Sequence, residues 1–419
     1  MKKQLLICLL IICIITTLSA CGSGSGAETK PSGARQTDVQ TEAKTDAQAE
    51  TQTEIQTDPG QMAAILDRDG ERLGEIDDSA IATAADAGIL YSLFQPAEYQ
   101  FTATAEYRFF RTADRQDLLL GRLEDQGYEA VYARTELDGM LYTLAVTGSP
   151  MDETPDPLWL LALDPAAGTM TKYRVSEDGF PYAAMAAADG KLLILNHETL
   201  TARCDKLYVF DPGEGAVREL LSFPDEGTAS LRSVCAAEDG FCLLRLRLEG
   251  GSPAELLLDR YDMAGEKLSE RSLNELLIPA ALELPGLGSE AEVLNEFGMM
   301  VGGFSLLEGR WLYYENFGML RAVLDLEAGA ALLAKDDLWA LSRGSGSPAV
   351  YRLDFDEAAE GPEILTLQDG AFAKLPLAPK DEHRLLRSLS HSPGGNWLAE
   401  LTDSPKSFGA SRVLYFWQE

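Results

Sequence analysis

Residues 137–144 read Leu-Asp-Gly-Met-Leu-Tyr-Thr-Leu, and this stretch decides the fold. An Asp-Gly pair between apolar-rich runs predicts a β-hairpin, because the glycine adopts the positive φ that such a turn requires. Similar turns, most of them ending in glycine and each followed by an apolar strand, recur along the chain. They lie at residues 86–88, 137–139, 188–190, 238–240, 307–309, 335–337 and 393–395. The chain is therefore predicted to be a series of hairpins.

The spacing of these turns indicates a repeat. The first four end at Gly88, Gly139, Gly190 and Gly240, in steps of 51, 51 and 50 residues. The later steps are 69, 28 and 58, and the first two of these together span about two repeats. Several units contain a second turn, at residues 163–168, 210–213, 261–265 and 324–329. Four antiparallel strands in every ~40–50 residues are typical of a β-propeller blade.

The fold class that follows is all-β. A helical solenoid has a similar period, but its helices need a 3.6-residue apolar period, which these short β-rich runs lack. The 359 residues from 61 onward, at about 51 per repeat, predict seven four-stranded blades. Six and eight blades are the alternatives, because the region 300–340 is irregular.

The two ends of the domain are predicted to meet. The final unit has strand-like runs at 385–390, 397–401 and 412–417, and no fourth run follows them. Residues 62–76 precede the first full unit and have no other place in the repeat. We predict that this N-terminal segment supplies the outer strand of the last blade, which removes an open sheet edge.

One segment interrupts the repeat. Residues 272–297 are longer than a connection between blades, and their sequence is compatible with a short helix packed on one face. Such an insertion either shapes a binding surface or is a decorated loop, and the sequence leaves both interpretations open.

The first 20 residues are predicted to be a signal peptide. Two lysines precede an apolar run, residues 5–15, which is shorter than the ~20 residues that cross a bilayer. Residues 18–21 read Leu-Ser-Ala-Cys, which resembles the lipobox of bacterial lipoproteins. The resemblance implies cleavage before Cys21 and a thioether-linked lipid on its sulfur, whose acyl chains contribute about 0.8 kcal/mol per buried CH₂.

The next segment has a different composition. Residues 22–60 begin Gly-Ser-Gly-Ser-Gly, continue in Gln-Thr-acid repeats and contain no aromatic residue. Such a segment cannot bury enough apolar surface to offset the entropy of ordering it. We predict that residues 21–60 are a lipidated cysteine and a disordered tether with a reach of roughly 30–40 Å. The propeller domain then spans residues 61–419.

Charge narrows the choice of partners. The chain has 67 acidic and 35 basic residues, and residues 61–419 carry 60 acidic and 30 basic ones. This surface disfavours binding to nucleic acid and docking on anionic lipid. The covalent lipid is therefore expected to hold the protein on the extracytoplasmic face of the cell membrane, with a Gram-positive-type envelope favoured.

Three cysteines remain in the domain, Cys204, Cys235 and Cys242. Cys235 and Cys242 flank the predicted turn at 238–240 and can face each other in a disulfide. The alternative is that all three are small buried apolar residues, as free cysteines often are. The cysteines and histidines show no ligand spacing for zinc, so no metal and no cofactor is predicted.

Catalytic motifs are not evident. The sequence has no nucleophile elbow, Walker loop, dinucleotide fingerprint or His-Glu-x-x-His. His197, His383 and His391 are isolated from one another, and we interpret each as a surface or loop residue. Whether the protein is an enzyme is left open, and the sequence favours a protein without catalytic activity.

Two other residue classes are candidate sites. Acidic clusters can bind Ca²⁺ or hydrolyse a glycosidic bond, but in so acidic a domain they are interpreted as solvated loops. They lie at residues 152–153, 354–357 and 381–382. Aromatic residues in apolar strands are predicted to be core residues rather than a sugar platform. They are Trp311, Tyr313, Tyr314, Trp339 and Trp397.

The repeat as a whole, over residues 62–419, resembles bacterial WD40-like and TolB-like propellers carried by cell-envelope lipoproteins. The chain departs from these families in lacking a consistent Trp-Asp or Gly-His pair. The resemblance implies a non-enzymatic binding or scaffold module for a protein, peptide or glycan. The alternatives are an envelope polysaccharide hydrolase or lyase, and a sensor or accessory subunit of an envelope complex, because a fold alone does not decide between them.

Overall fold

A computed structural model gives the structure of the chain, and Met62–Glu419 forms one compact unit. The described residues are 62–96, 102–129, 134–147, 156–179, 184–196, 204–224, 229–250, 252–282, 288–298, 302–307, 310–316, 319–333, 339–344, 349–352, 363–368, 371–375, 385–402 and 412–418. The predicted signal peptide, Cys21 and the predicted tether lie outside these residues.

The domain begins with a hairpin and a large sheet. The hairpin is β1 (Met62–Leu66) and β2 (Arg72–Asp77). The first sheet has eight antiparallel strands: β3 (Ile81–Ala85), β4 (Gly88–Pro96), β5 (Thr102–Arg111), β6 (Gln116–Glu129), β7 (Thr135–Leu137), β8 (Met140–Thr147), β9 (Asp156–Asp164) and β10 (Thr169–Gly179).

Four four-stranded antiparallel sheets follow in chain order. The second sheet is β11 (Ala184–Ala188), β12 (Lys191–Asn196), β13 (Cys204–Asp211) and β14 (Ala216–Pro224). The third is β15 (Ala229–Ala237), β16 (Gly240–Glu249), β17 (Ser252–Tyr261) and β18 (Lys267–Ser272). The fourth is β19 (Gly302–Leu307), β20 (Trp311–Asn316), β21 (Met319–Asp325) and β22 (Ala330–Leu333). The fifth is β23 (Trp339–Leu341), β25 (Ala349–Arg352), β26 (Ile364–Gln368) and β27 (Ala371–Lys374).

The last sheet joins the two ends of the domain. It contains β24 (Arg343–Gly344), β28 (Leu385–His391), β29 (Asn396–Thr402) and β30 (Arg412–Gln418), followed by β1 and β2. Strand β1 pairs with β30 in parallel, with Ala64 opposite Val413 and Leu66 opposite Tyr415. The prediction that the N-terminal segment closes the last blade is confirmed, and it supplies two strands where one was expected.

The propeller fold is confirmed, but the predicted number of blades is wrong. The strands form six sheets rather than seven blades. The cause is strand β6, whose end runs on without a turn and pairs with β8, so that Gly127 lies opposite Thr147 and Glu129 opposite Ala145. Two repeats of the sequence therefore share one eight-stranded sheet.

The core lies between successive sheets and, in the eight-stranded sheet, between strands β3–β6 and strands β8–β9. A separate apolar cluster fills each contact between neighbouring sheets: first and second, second and third, third and fourth, fourth and fifth, and fifth and last. A further cluster joins the last sheet to the first, with Leu398, Leu414 and Phe416 packed against Ile89 and Tyr91. This arrangement closes the ring and explains the alternating apolar pattern of the strands.

The insertion forms two short helices, α1 (Asn274–Ala281) and α2 (Glu290–Gly298). Leu277 of α1 and Leu294 of α2 are buried in the cluster between the third and fourth sheets, together with Leu258 and Leu324. The helices are therefore part of the core. Their apolar faces account for the loss of the strand pattern in this segment.

The turns have the chemistry that the sequence indicated. Asp138 and Gly139 have φ values of 52° and 75°, which are in the left-handed region. In the second class of turn, an aspartate caps the loop. The Asp164 Oδ1 accepts hydrogen bonds from the Ala166 and Ala167 N–H groups at 2.8 and 2.9 Å.

Candidate functional site

Buried polar side chains are concentrated at the contact of the last sheet with the first and on the adjoining strands of the first sheet. Of eighteen buried polar or charged residues in the described part of the chain, twelve lie on or beside β3, β4, β7 and the last sheet. We call these twelve the polar seam: Thr83, Ser92, Arg134, Thr135, Glu136, Ser390, His391, Ser392, Asn396, Glu400, Thr402 and Arg412. Because burial of polar groups costs free energy unless they are bonded, the seam is the chemically distinctive region of the domain.

The inner part of the polar seam is organised around Asp86, in the turn between β3 and β4. The Asp86 N–H donates to Glu136 Oε2 at 2.9 Å. From the last sheet, the Gly394 N–H donates to Asp86 Oδ1 at 2.6 Å, and Asn396 Nδ2 donates to the Asp86 carbonyl oxygen at 2.8 Å. The β3–β4 turn thus connects β7 with Gly394 and Asn396, which are more than 300 positions from Asp86 in the chain.

Arg134, which precedes β7, extends these contacts to residues of β3 and β4 that lie farther from the turn. Its guanidinium donates to the Ile81 carbonyl oxygen at 3.1 Å, to Thr83 Oγ1 at 3.0 Å and to Ser92 Oγ at 2.6 Å. These charge-assisted bonds stabilise the inner strands of the first sheet.

Two titratable side chains of the seam have displaced pKa values. Burial raises the pKa of Glu136 to about 7, although the hydrogen bond from the Asp86 N–H lowers it. Burial lowers the pKa of His391 to about 4. The His391 ring lies 5.1 Å from the Trp397 ring, centroid to centroid. The prediction that His391 is a surface or loop residue is wrong, because the seam packs around it. His197 and His383 lie outside the described residues.

The outer part of the polar seam is an ion-pair cluster. Arg412 Nη1 donates to the Asp78 carbonyl oxygen at 2.7 Å, and Arg412 Nε lies 3.5 Å from Glu400 Oε1. Arg387 Nη1 reaches the same oxygen at 3.4 Å, and Ser388 Oγ donates to Glu400 Oε2 at 3.1 Å. Burial raises the pKa of Asp78, and the Arg412 charge lowers it.

This outer cluster is incompletely bonded within the described residues. Asp78 Oδ1, Arg412 Nε and Arg412 Nη2 are buried there without a hydrogen-bond partner. The arrangement can hold the closing strands together.

A second region is defined by the turns. The β3–β4, β7–β8, β11–β12 and β15–β16 turns, with those after β1, β5, β13, β17 and β21, lie at one end of the meandering sheets, which we call the turn face. Its exposed acidic residues are Asp69, Glu71, Asp86, Asp114, Asp138, Asp189, Glu214, Glu238, Asp239, Glu266 and Glu327. Its exposed basic residues are Arg68 and Arg115. The turn face is therefore strongly acidic.

The two cysteines of the predicted disulfide lie opposite each other. Cys235 of β15 pairs with Cys242 of β16, and both thiols are buried and free in the structure. The disulfide stays a prediction. Cys204 begins β13, and Cys21, the predicted lipid site, lies outside the described residues.

The other candidate residues are divided between core and undescribed positions. The three acidic clusters at 152–153, 354–357 and 381–382 lie outside the described residues. The core prediction is confirmed for Tyr313, Tyr314 and Trp397, which are buried, whereas Trp311 and Trp339 are half-buried. Among the residues that the structure describes, no group of three or more His, Cys, Asp and Glu side chains is placed to bind a metal ion. None of the helices described is long and apolar enough to cross a membrane.

Sequence reasoning missed the polar seam. Arg134 and Arg412 stand next to the starts of apolar strands, which is a weak signal that a basic residue is buried there. Their partners Ile81 and Asp78 lie more than 50 positions away in the chain, so the sequence alone does not reveal the pairing.

No protein-family model and no curated protein matches the sequence. Solved structures with a similar fold include an acylaminoacyl peptidase from Pyrococcus horikoshii, 12% identical over 70% of this chain and 44% of that chain, with a TM-score of 0.40. The β-propeller domain of the Trilobed protease from Pyrococcus furiosus is 11% identical over 81% of this chain and 95% of that chain, with a TM-score of 0.44. Polysaccharide lyase Uly1 is 10% identical over 80% of this chain and 88% of that chain, with a TM-score of 0.48.

These similarities concern the fold only. The chain spans less than half the length of the acylaminoacyl peptidase, of which it covers 44%. The assignment as a propeller rests on the strand pairing and ring closure of this chain.

Proposed function

We propose that this protein is a lipid-anchored, extracytoplasmic binding protein without catalytic activity, whose turn face contacts a cationic segment of a protein partner. The observation that carries the proposal is the charge of the turn face, where eleven exposed acidic side chains accompany two exposed arginines. A surface of one charge accelerates association with a partner of the opposite charge and contributes to specificity.

The layout of the chain supports the same proposal. The propeller closes with its own N-terminal strands β1 and β2, so neither end of the domain needs another protein to cover a sheet edge. Cys21 and residues 22–60 would then attach a self-contained domain to the membrane at a distance.

Attachment is tested with Cys21→Ser in the full chain, produced in a bacterium that lipidates its exported proteins. We expect the wild-type chain in the membrane fraction and the variant in the soluble extracytoplasmic fraction. Cys204→Ser is the matched control and should stay with the membrane. Equal distribution of the Cys21→Ser variant and the wild type would contradict lipid anchoring.

Binding is tested by neutralising two turn-face residues, Asp138→Asn and Asp189→Asn, in one variant. Asparagine tolerates the positive φ of both positions, 52° and 48°, so the turns should persist. We expect weaker retention of partners from an envelope extract, by roughly tenfold at most, and a smaller dependence on salt.

The control carries the same change of charge away from the turn face, Glu177→Gln near the end of β10 with Glu249→Gln at the end of β16, both exposed. It should bind as the wild type does. Equal losses in the two variants would refute the turn face as the contact surface. Turnover of a glycan or peptide library by the wild-type chain would refute the proposal of a non-enzymatic module.

A further inference from the structure

The hairpin of β15 and β16 places two thiols side by side. Cys235 and Cys242 are direct partners in an antiparallel register, so their side chains lie on the same face of the sheet. Direct partners have Cα atoms about 4.5–5.5 Å apart, which is inside the ~4.4–6.8 Å range of disulfides. The Cys235 sulfur lies 3.8 Å from the carbonyl oxygen of Cys242.

Two contacts hold the turn of this hairpin against β17. A Cβ added to Gly240 would lie 2.1 Å from the Tyr261 carbonyl oxygen, so β17 holds the backbone closely at this point. Arg260 Nη2 donates to Asp239 Oδ1 in the turn at 2.7 Å. Across the turn Ala237 lies opposite Gly240, and this two-residue connection sets the register of β15 and β16. A slip of one residue would place the two thiols on opposite faces of the sheet, so the turn keeps the two sulfurs adjacent.

The surroundings of the two thiols shift their pKa values in opposite directions. The hydrogen bond with Cys242 and burial raise the pKa of the Cys235 thiol, while the Leu306 N–H of β19 lowers it. The hydrogen bond from Cys235 lowers the pKa of Cys242, and burial opposes it. Cys242 is thus the better thiolate and Cys235 the adjacent second thiol.

We infer that Cys235 and Cys242 are a redox modification site, which closes to an intrachain disulfide when the protein folds in the presence of a disulfide oxidant. One of the two cysteine thiolates attacks the oxidant disulfide, forms a mixed disulfide and releases one thiolate of the oxidant. The thiolate of the other cysteine then attacks the protein sulfur of that mixed disulfide and releases the second. Two protein thiols are oxidised, one oxidant disulfide is reduced to two thiols, and the two protein protons pass to the released thiolates.

The site has a defined position in the fold. Both cysteines are buried, at 7% and 1% exposure, in the cluster between the third and fourth sheets. An oxidant therefore reaches them while the hairpin is open rather than in the folded domain. The occurrence of the disulfide in the cell rests on the export that the proposed function includes, whereas the capacity to form it does not.

The deciding experiment uses the full chain, refolded in a buffer of reduced and oxidised glutathione, alkylated and cleaved with trypsin. Both cysteines lie in one predicted tryptic peptide, residues 233–245, because no lysine or arginine separates them. We expect this peptide to be two hydrogens lighter than the reduced form and resistant to alkylation until a reductant is added. Cys204, in the separate peptide 204–206, should be alkylated throughout.

Three results would overturn the inference. They are alkylation of both cysteines after oxidative refolding, a link from either cysteine to the peptide 204–206, and a stable mixed disulfide with glutathione at Cys242. A Cys235→Ala variant, whose smaller side chain remains apolar, should leave Cys242 alkylated or glutathionylated. Because the assay needs no membrane, its outcome is independent of the Cys21→Ser result, and failure of either proposal is distinguishable from failure of the other.

Discussion

Two contacts between sheets are stabilised in different ways. The polar seam contains the buried side chains of Arg412, Glu400 and His391. It accompanies the apolar cluster that joins the last sheet to the first. The contact between the third and fourth sheets, which we call the helical seam, is an apolar cluster enlarged by α1 and α2. The first is the place where the two ends of the domain meet, and the second joins neighbours in the chain.

The difference has a physical meaning. Apolar burial is non-directional and tolerates some change of shape, whereas a buried ion pair is costly unless its geometry is met. At the polar seam, a wrong register of the last strands would leave Arg412 and Glu400 buried and unpaired. Polar contacts there can therefore favour one pairing register of the closing strands. The cost is the desolvation of the buried charges, which the apolar helical seam does not have.

The largest expected effect is at Arg412. In Arg412→Met, Glu400 loses its buried partner and the Asp78 carbonyl oxygen loses a donor, so the free energy of unfolding should fall by about 3–5 kcal/mol. Urea unfolding followed by circular dichroism measures this. The matched control is Arg387→Met, whose side chain is 50% exposed and contacts the same carboxylate; it should cost less than about 1 kcal/mol. Equal costs would show that burial does not distinguish the polar seam.

A somewhat smaller effect is expected at the helical seam. Leu277 is 1% exposed, and Leu277→Ala should lower the free energy of unfolding by about 2–4 kcal/mol, through lost burial and a cavity. The loss should be the same at low and high salt, because no charge is involved. Leu282→Ala is the control, since Leu282 is 40% exposed and its loss should change stability by less than about 0.5 kcal/mol. A negligible loss in Leu277→Ala would mean that the helices are a dispensable decoration.

The smallest effect is a dependence on pH at the polar seam. The pKa of His391 is lowered from 6.5 to about 4 in the folded state, so the unfolded chain binds the proton first as the pH falls. Its neutral form therefore contributes full stability above about pH 6.5, and this contribution is lost as the pH falls toward 4. Between pH 7 and pH 4.5 this loss is on the order of 2 kcal/mol.

His391→Phe keeps a ring beside Trp397 and cannot be protonated. Thermal unfolding at pH 7 and pH 4.5 should show a smaller decrease for this variant than for the wild type. The comparison between the two proteins cancels the titration of the many carboxylates. Parallel decreases in both would place His391 in contact with solvent and contradict the buried seam.

Much of the fold could be predicted, and the reason lies in local turns. The Asp-Gly turns at 138–139 and 189–190 are specified by the few residues around them, because only certain residues adopt positive φ. Their spacing then predicts the strands, including Leu385–His391, Asn396–Thr402 and Arg412–Gln418 of the last sheet. The closing strand was predictable because the last repeat lacked one.

By itself, therefore, the sequence determined the all-β class and the hairpin turns, which follow from the chemistry of neighbouring residues. The spacing of those turns along the chain then determined the propeller repeat and the closure. Tertiary structure alone decided the number of sheets. The end of β6 pairs with β8 as well as with β5, and this extra pairing joins two repeats into one sheet. Tertiary structure also decided that His391 is buried, that α1 and α2 belong to the core, and that Asp86 bonds to Gly394. These features depend on groups brought together from positions far apart in the chain, and no local pattern records which neighbour a side chain will meet once the ring has closed.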